Sequence, residues 1–209
     1  MARTGIASKG AATREAILAH ACALARLHGL EGLTIGSLAE QVGMSKSGVF
    51  AHFGSREELQ IAVLDHTAEQ FVQRVLAPAL KQPRGLERLR SIVAHWFDWV
   101  RHDEQGEGGC LFAAAASEFD DRPGPVRDRL LQHLRTWREE LARAAAQAIE
   151  TGELAADADP AQLAFEIYGI ALAVHHDAGM GGIASAQERG LRAYARLIQA
   201  HAPAPPPTR

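Results

Sequence analysis

Apolar side chains recur along this chain every three or four residues and scarcely anywhere every second residue, a pattern that predicts helices and no sheet. The first helix is expected from Thr13, a residue suited to capping, to His28, where Gly29 stops it. Ile17, Ala21 and Leu24 form its stripe, flanked by Leu18, Cys22 and Ala25. Two very short helices follow, over Ile35 to Val42 and Ser45 to His52. The run Ser55-Arg56-Glu57-Glu58 has the form of a capping box. It opens a longer helix that ends near Pro78 and carries Val63, Thr67, Phe71 and Val75 on one ridge.

The next helix, Gly85 to Arg101, places Leu89, Ile92, Val93, Trp96 and Val100 on a single face. Asp103 to Gly109 is polar and glycine-rich and reads as a loop, and Cys110 to Glu118 reads as a short apolar helix. The turn Asp121-Arg122-Pro123-Gly124-Pro125 launches what should be the longest helix, running to Gly152. Its stripe is Val126, Leu130, Leu134, Trp137, Leu141, Ala144 and Ala148. Asp159 caps the following helix and Pro160 takes its first position, where proline fits. That helix should reach Ala178, be broken by Gly179-Met180-Gly181-Gly182, and give way to a last helix capped by Ser185 and ending at Ala200. Residues 1–10 are expected to form a flexible arm, and the proline-rich residues 202–209 a disordered tail. The result is an all-α chain of about nine helices.

Composition narrows the class. The chain has 209 residues, 47% hydrophobic and 22% charged, which suits a soluble globular protein with a real core. The longest apolar stretches, Cys110 to Ala116 and Ile167 to Val174, fall well short of the ~20 residues a membrane helix needs. Ala16 to Leu27 is apolar enough to suggest a signal peptide, but Glu15, His20 and Arg26 interrupt it, so a cytoplasmic helix is expected. Cys22 and Cys110 make no disulfide framework and are read as reduced, buried side chains, with a redox role for Cys110 as the alternative. The net charge of -3 is unevenly spread: residues 1–56 hold six bases against three acids, leaving sixteen bases and twenty-two acids to the remainder. A basic head on an acidic body points to a polyanion at the head.

The segment Leu33 to Leu59 carries the chemistry. Thr34 can cap the second helix, Leu38, Ala39 and Val42 face inward, and Gly43 supplies a tight turn. Met44 fills the gap between the helices, and Ser45 caps a third helix pinned to the core by Val49 and Phe53. Lys46, Ser47 and Gly48 then lie outside its first turn, where recognition helices present side chains to the major groove. Gly48 lets backbone approach DNA closely.

This segment resembles the helix-turn-helix of the TetR family. Thr34, Ala39, Gly43, Ser45, Phe50, His52-Phe53, Arg56 and Glu58-Leu59 stand in the family's order and spacing. The resemblance implies a three-helix DNA-binding domain over residues 11–57 and a helical ligand-binding and dimerisation domain over 58–201. It also implies a homodimeric repressor on palindromic operator DNA, released by a small-molecule effector of unknown identity. By the same resemblance Thr34, His52 and Arg56 contact phosphates, while Lys46 and Ser47 sit nearest base edges or backbone. Phe50 departs from the family's usual tyrosine and cannot donate a hydroxyl to a phosphate. Ser47 stands where glycine is frequent, Gly48 where a larger residue is, and Arg56 where lysine is.

The Pro160 helix is apolar on two sides, with Leu163, Ile167, Ile170 and Val174 on one and Phe165, Tyr168 and Leu172 on another. Such a helix must cover a partner as well as its own core. In the family, the last two helices pack against their copies. Trp96, Trp99, Phe112, Trp137, Phe165, Tyr168 and His175 are the candidate lining of an effector pocket inside the body. His175 and His176 point about 100° apart on a helix and cannot readily share an ion, so no metal or other cofactor is expected. No catalytic constellation appears, and no enzymatic activity is expected. The alternative to the repressor is a helical small-molecule or redox sensor whose head has lost specific DNA binding.

Overall fold

The computed structural model describes residues 3–104 and 110–203, with side chains from 10 to 100 and from 110 to 203. Every regular element among them is helical. We label them α1 (Arg3–His28), α2 (Ile35–Val42), α3 (Lys46–Phe53), α4 (Arg56–Phe71), α5 (Leu86–Glu104), α6 (Leu111–Glu118), α7 (Pro125–Glu150), α8 (Pro160–Gly181) and α9 (Ile183–Ala200). Helix α4 continues through a π-helical turn, Val72–Leu76, into a last α-helical turn, Ala77–Ala79. No helix among the described residues is long and apolar enough to cross a membrane.

Several helix boundaries differ from those expected of the sequence. Helix α1 begins at Arg3 and not after Thr13, so Thr13 lies inside the helix and not at its start. Alanines and Lys9 ahead of it are good helix formers and no proline intervenes, so the helix propagates through Gly10. It equals α7 in length, at 26 residues each. Helix α8 runs past Ala178 to Gly181, and α9 starts at Ile183, before Ser185. Gly179 and Gly181 keep helical backbone, and only Gly182, at φ 100°, turns the chain. Helix α5 likewise extends beyond Arg101 to Glu104. Of the loop expected at 103–109, Asp103 and Glu104 are helical and 105–109 lie outside the described residues, as do residues 204–209 of the tail expected at 202–209.

The chain divides into two compact units, Met1–Glu69 with Glu107–Leu131 and Gln70–Gly106 with Gln132–Arg209. In the first, α1 buries Ile17, Leu18, Ala21, Cys22 and Ala25, and α2 and α3 bury Leu38, Ala39, Val49 and Phe53. Leu59, Val63 and Leu64 of α4 and Leu111 and Ala115 of α6 are buried as well. Asp65 of α4 pairs with Arg129 of α7 at 2.6 Å.

In the second unit, one continuous apolar core joins Val75, α5, the later part of α7, α8 and α9. The Asp159 carboxylate accepts the Ala161 and Gln162 N–H groups at the start of α8, as its position before Pro160 foretells. Gly190 lets α9 approach closely: an added Cβ would overlap Val174 and lie 3.0 Å from the Phe97 ring.

Candidate nucleic-acid interface

Local chemistry sets the geometry of α2 and α3. The Thr34 hydroxyl accepts the Ser37 N–H at 3.0 Å, and the Ser37 hydroxyl in turn accepts the Thr34 N–H at 3.3 Å. This reciprocal cap satisfies two donors that the helix leaves free. Gly43 takes φ 65°, closes α2 and turns the chain toward α3. The Ser45 hydroxyl then accepts the Gly48 N–H at 3.1 Å and starts α3. Leu38, Val49 and Phe53 are buried, which fixes the outward faces of both short helices.

Lys46 does not simply project outward. A Cβ placed at Gly36 would lie 3.3 Å from Lys46 Cε and 3.5 Å from its Nζ, so the ammonium is folded over the first turn of α2. It therefore sits beside Thr34 and the N-terminal end of α2. A helix N-terminus and an ammonium converging on one point make a place for a phosphate oxygen. The Ser47 hydroxyl lies 3.1 Å from that of Ser45. Gly48 is tight against its neighbours, since a Cβ there would meet Ser45 Oγ at 3.2 Å and Met44 Cε at 3.3 Å. Phe50 is 53% exposed on the outer face of α3, and His52 is half-buried in its last turn.

Arg56 is held elsewhere. Its Nε donates to the Leu33 carbonyl at 3.0 Å and its Nη2 to the Glu31 carbonyl, with the Glu31 carboxylate 3.4 Å away. Gln60, one turn on in α4, donates to the Leu30 carbonyl at 2.7 Å. On the far side, Glu31 receives Arg122 at 3.5 Å and its N–H binds the Glu118 carboxylate at 2.7 Å. The residues joining α1 to α2 are thus braced by α4, α6 and the turn before α7. Neither Gln60 nor Glu118 was legible as a brace in the sequence, because their partners lie 30 and 87 residues away.

In the second unit, part of the expected aromatic set meets. Trp96 and Trp137 cross edge to face with centroids 4.9 Å apart, and Tyr168 lies 5.9 Å from Trp96. Phe71 stands against Trp96, Trp99 and Trp137 at 6.1, 5.6 and 4.7 Å. In sequence Phe71 is only one member of a core ridge, and nothing in the residue pattern marks the π-helical turn that begins right after it. Arg138 lies over Tyr168 and Arg74 over Trp99. The Trp137 Nε1 hydrogen is buried with no acceptor among the described residues. Phe165 does not belong to this cluster: it is 64% exposed, because α8 turns it away from the core that Leu163 and Ile167 enter. Phe112 sits half-buried on α6 in the other unit, and His175 is half-buried on α8. Burial, with a smaller contribution from His176, lowers the His175 pKa. Among the described residues no group of three or more His, Cys, Asp or Glu side chains could hold a metal.

Comparison with known proteins agrees with this architecture. Residues 17–63 match the family described as bacterial regulatory proteins, tetR family, and residues 85–194 match the tetracyclin repressor-like C-terminal domain. The HTH-type transcriptional activator FasR of Mycolicibacterium smegmatis is 35% identical over 69 residues, 33% of this chain and 32% of that protein. The HTH-type transcriptional repressor AcnR of Corynebacterium diphtheriae is 33% identical over 75 residues, 35% of this chain and 37% of that protein. The chain thus spans about a third of the length of these curated relatives. A TetR transcriptional regulator from Chloroflexus aurantiacus has the same fold, with TM-score 0.81 and 26% identity across 92% of this chain and 95% of that one.

Proposed function

The chain belongs to the TetR family of DNA-binding transcriptional regulators, and on that footing we propose that it is a homodimeric repressor of a palindromic operator, released by a small molecule. The observation that carries the reading is the convergence of Lys46 and the capped N-terminus of α2 beside an exposed α3. Two such heads, one per protomer, would sit in successive major grooves about 34 Å apart. Residues 11–57 act as the DNA-binding domain and 58–201 as the ligand-binding and dimerisation domain. Thr34, Lys46 and His52 contact phosphates, with Ser45, Ser47, Gly48 and Phe50 closest to the groove. Arg56 acts by bracing the residues before α2.

The dimer forms through α8 and α9. They leave Phe165, Leu172, Met180 and Leu191 exposed, and burying such groups against a twofold copy is favourable. The effector binds at the cluster of Phe71, Trp96, Trp99, Trp137 and Tyr168, where the unpaired Trp137 N–H offers a hydrogen bond to an acceptor on the ligand. A ligand there changes DNA affinity only as far as it binds the two states unequally. The relatives include both an activator and a repressor, so the direction of control is tested directly. Selection from a random duplex pool, followed by a reporter carrying the selected site over its promoter, should give an inverted repeat and lower transcription. Absence of any enriched duplex at low salt would overturn the reading.

A further inference from the structure

We propose that α3 reads thymine in the operator through its 5-methyl group, with the Phe50 ring and the Ala51 methyl as the reading surface. The proposal rests on DNA binding by α3 and adds which base, and which group on it, is recognised. The outer face of α3 comprises Lys46, Ser47, Phe50 and Ala51, spaced so that all four project to one side. Its polar members are already engaged. The Lys46 ammonium lies over the first turn of α2, in place for a phosphate. The Ser47 hydroxyl faces that of Ser45, which itself holds the Gly48 N–H.

What remains is apolar. Phe50 is 53% exposed, and Ala51 is exposed beside it. A phenyl ring can neither donate to a phosphate nor pair with the donors and acceptors of base edges. In the major groove only thymine presents an apolar group, its C5 methyl. Phenylalanine on this face therefore selects for thymine where a hydrogen-bonding side chain would select for another edge. Continuity with Lys46 and Thr34 fixes the occupant as duplex DNA, since the same approach that seats a phosphate at α2 carries Phe50 and Ala51 into the groove.

The test uses the full-length protein and a duplex selected from a random pool. Each thymine is replaced singly by deoxyuridine, which removes the methyl and leaves every hydrogen bond intact. Dissociation constants are measured for the native protein, Phe50→Ala and Phe50→Leu, with circular dichroism confirming that each variant is folded. One thymine per half-site should lose about fourfold in affinity on becoming deoxyuridine, the value of burying one methyl group. That loss should vanish in Phe50→Ala and partly persist in Phe50→Leu, while other positions respond alike in all three proteins. If deoxyuridine is tolerated everywhere, or the sensitivity is unchanged in Phe50→Ala, thymine reading is overturned and DNA binding stands. If no duplex is enriched, both fall.

Discussion

The Glu118 carboxylate lies directly over Gly29, with its Cδ 3.0 Å from where a Gly29 Cβ would stand and its Oε1 closer still. Gly29 also holds φ 77°, and the same carboxylate accepts the Glu31 N–H at 2.7 Å. A glycine that looks in sequence like an ordinary helix stop is therefore also the seat of a long-range brace. The conformation disfavours a larger residue, and a Cβ here would have to displace the Glu118 carboxylate.

Gly29→Ala should destabilise the protein by about 1–3 kcal/mol, combining left-handed strain with displacement of Glu118. For a chain of this size that lowers the melting temperature by roughly 3–10 °C. Glu118→Ala removes the overlap, so the double variant should cost less than the two single changes added together. Strict additivity in thermal melts would show that the carboxylate and Gly29 do not interact.

Lys46 and Arg56 should separate in their salt dependence. With Lys46 proposed on a phosphate in each protomer, Lys46→Ala should lower the slope of log affinity against log salt by about 1.8 for the dimer, about 0.9 per protomer. Arg56→Ala removes bonds to the Glu31 and Leu33 carbonyls. It should weaken binding and speed amide exchange in α2 while leaving the slope nearly unchanged. Equal slope changes in titrations of the two variants would mean that the Arg56 guanidinium leaves its carbonyls for DNA.

Gly190→Ala should cost on the order of 1–3 kcal/mol, because the new methyl enters space held by Val174 and Phe97 in a filled core. Since α8 and α9 are also the expected dimer surface, sedimentation should show weaker self-association at equal concentration. A melting temperature within 1 °C of the native protein, as a rough threshold, would contradict the packing.

His175 should make stability pH-dependent. Burial holds its folded pKa below the ordinary 6.5, so the unfolded chain takes up the proton first as pH falls. Its contribution to stability is therefore lost on acidification from about pH 7 through the folded value, and recovered as pH rises. Urea midpoints measured across that window should vary less in His175→Gln than in the native protein. An identical pH profile in the two would remove His175 as the source.

Short-range features were readable without a structure. The caps at Thr34, Ser45 and Asp159, the turn at Gly43 and the burial of Leu38, Val49 and Phe53 follow from side chains acting within four residues or from helical periodicity. Boundaries were less legible where the signal was weak. Thr13 resembles a cap but lies in a run that prefers helix, and of the four residues 179–182 only Gly182, not the first glycine, breaks α8.

The helical class, the helix-turn-helix at Leu33 to Leu59 and the family to which the chain belongs were legible from residue order. Those depend on local hydrogen bonds and on spacing, which the order of residues contains. Long-range contacts settle that Lys46 folds toward α2, that Arg56 braces a loop, that Phe71 joins Trp96, Trp99 and Trp137 while Phe165 does not, and that residues 110–131 pack with the N-terminal helices. These depend on which side chains meet across tens of residues. The same arginine or aromatic ring is a ligand contact, a brace or core according to neighbours that chain order does not specify.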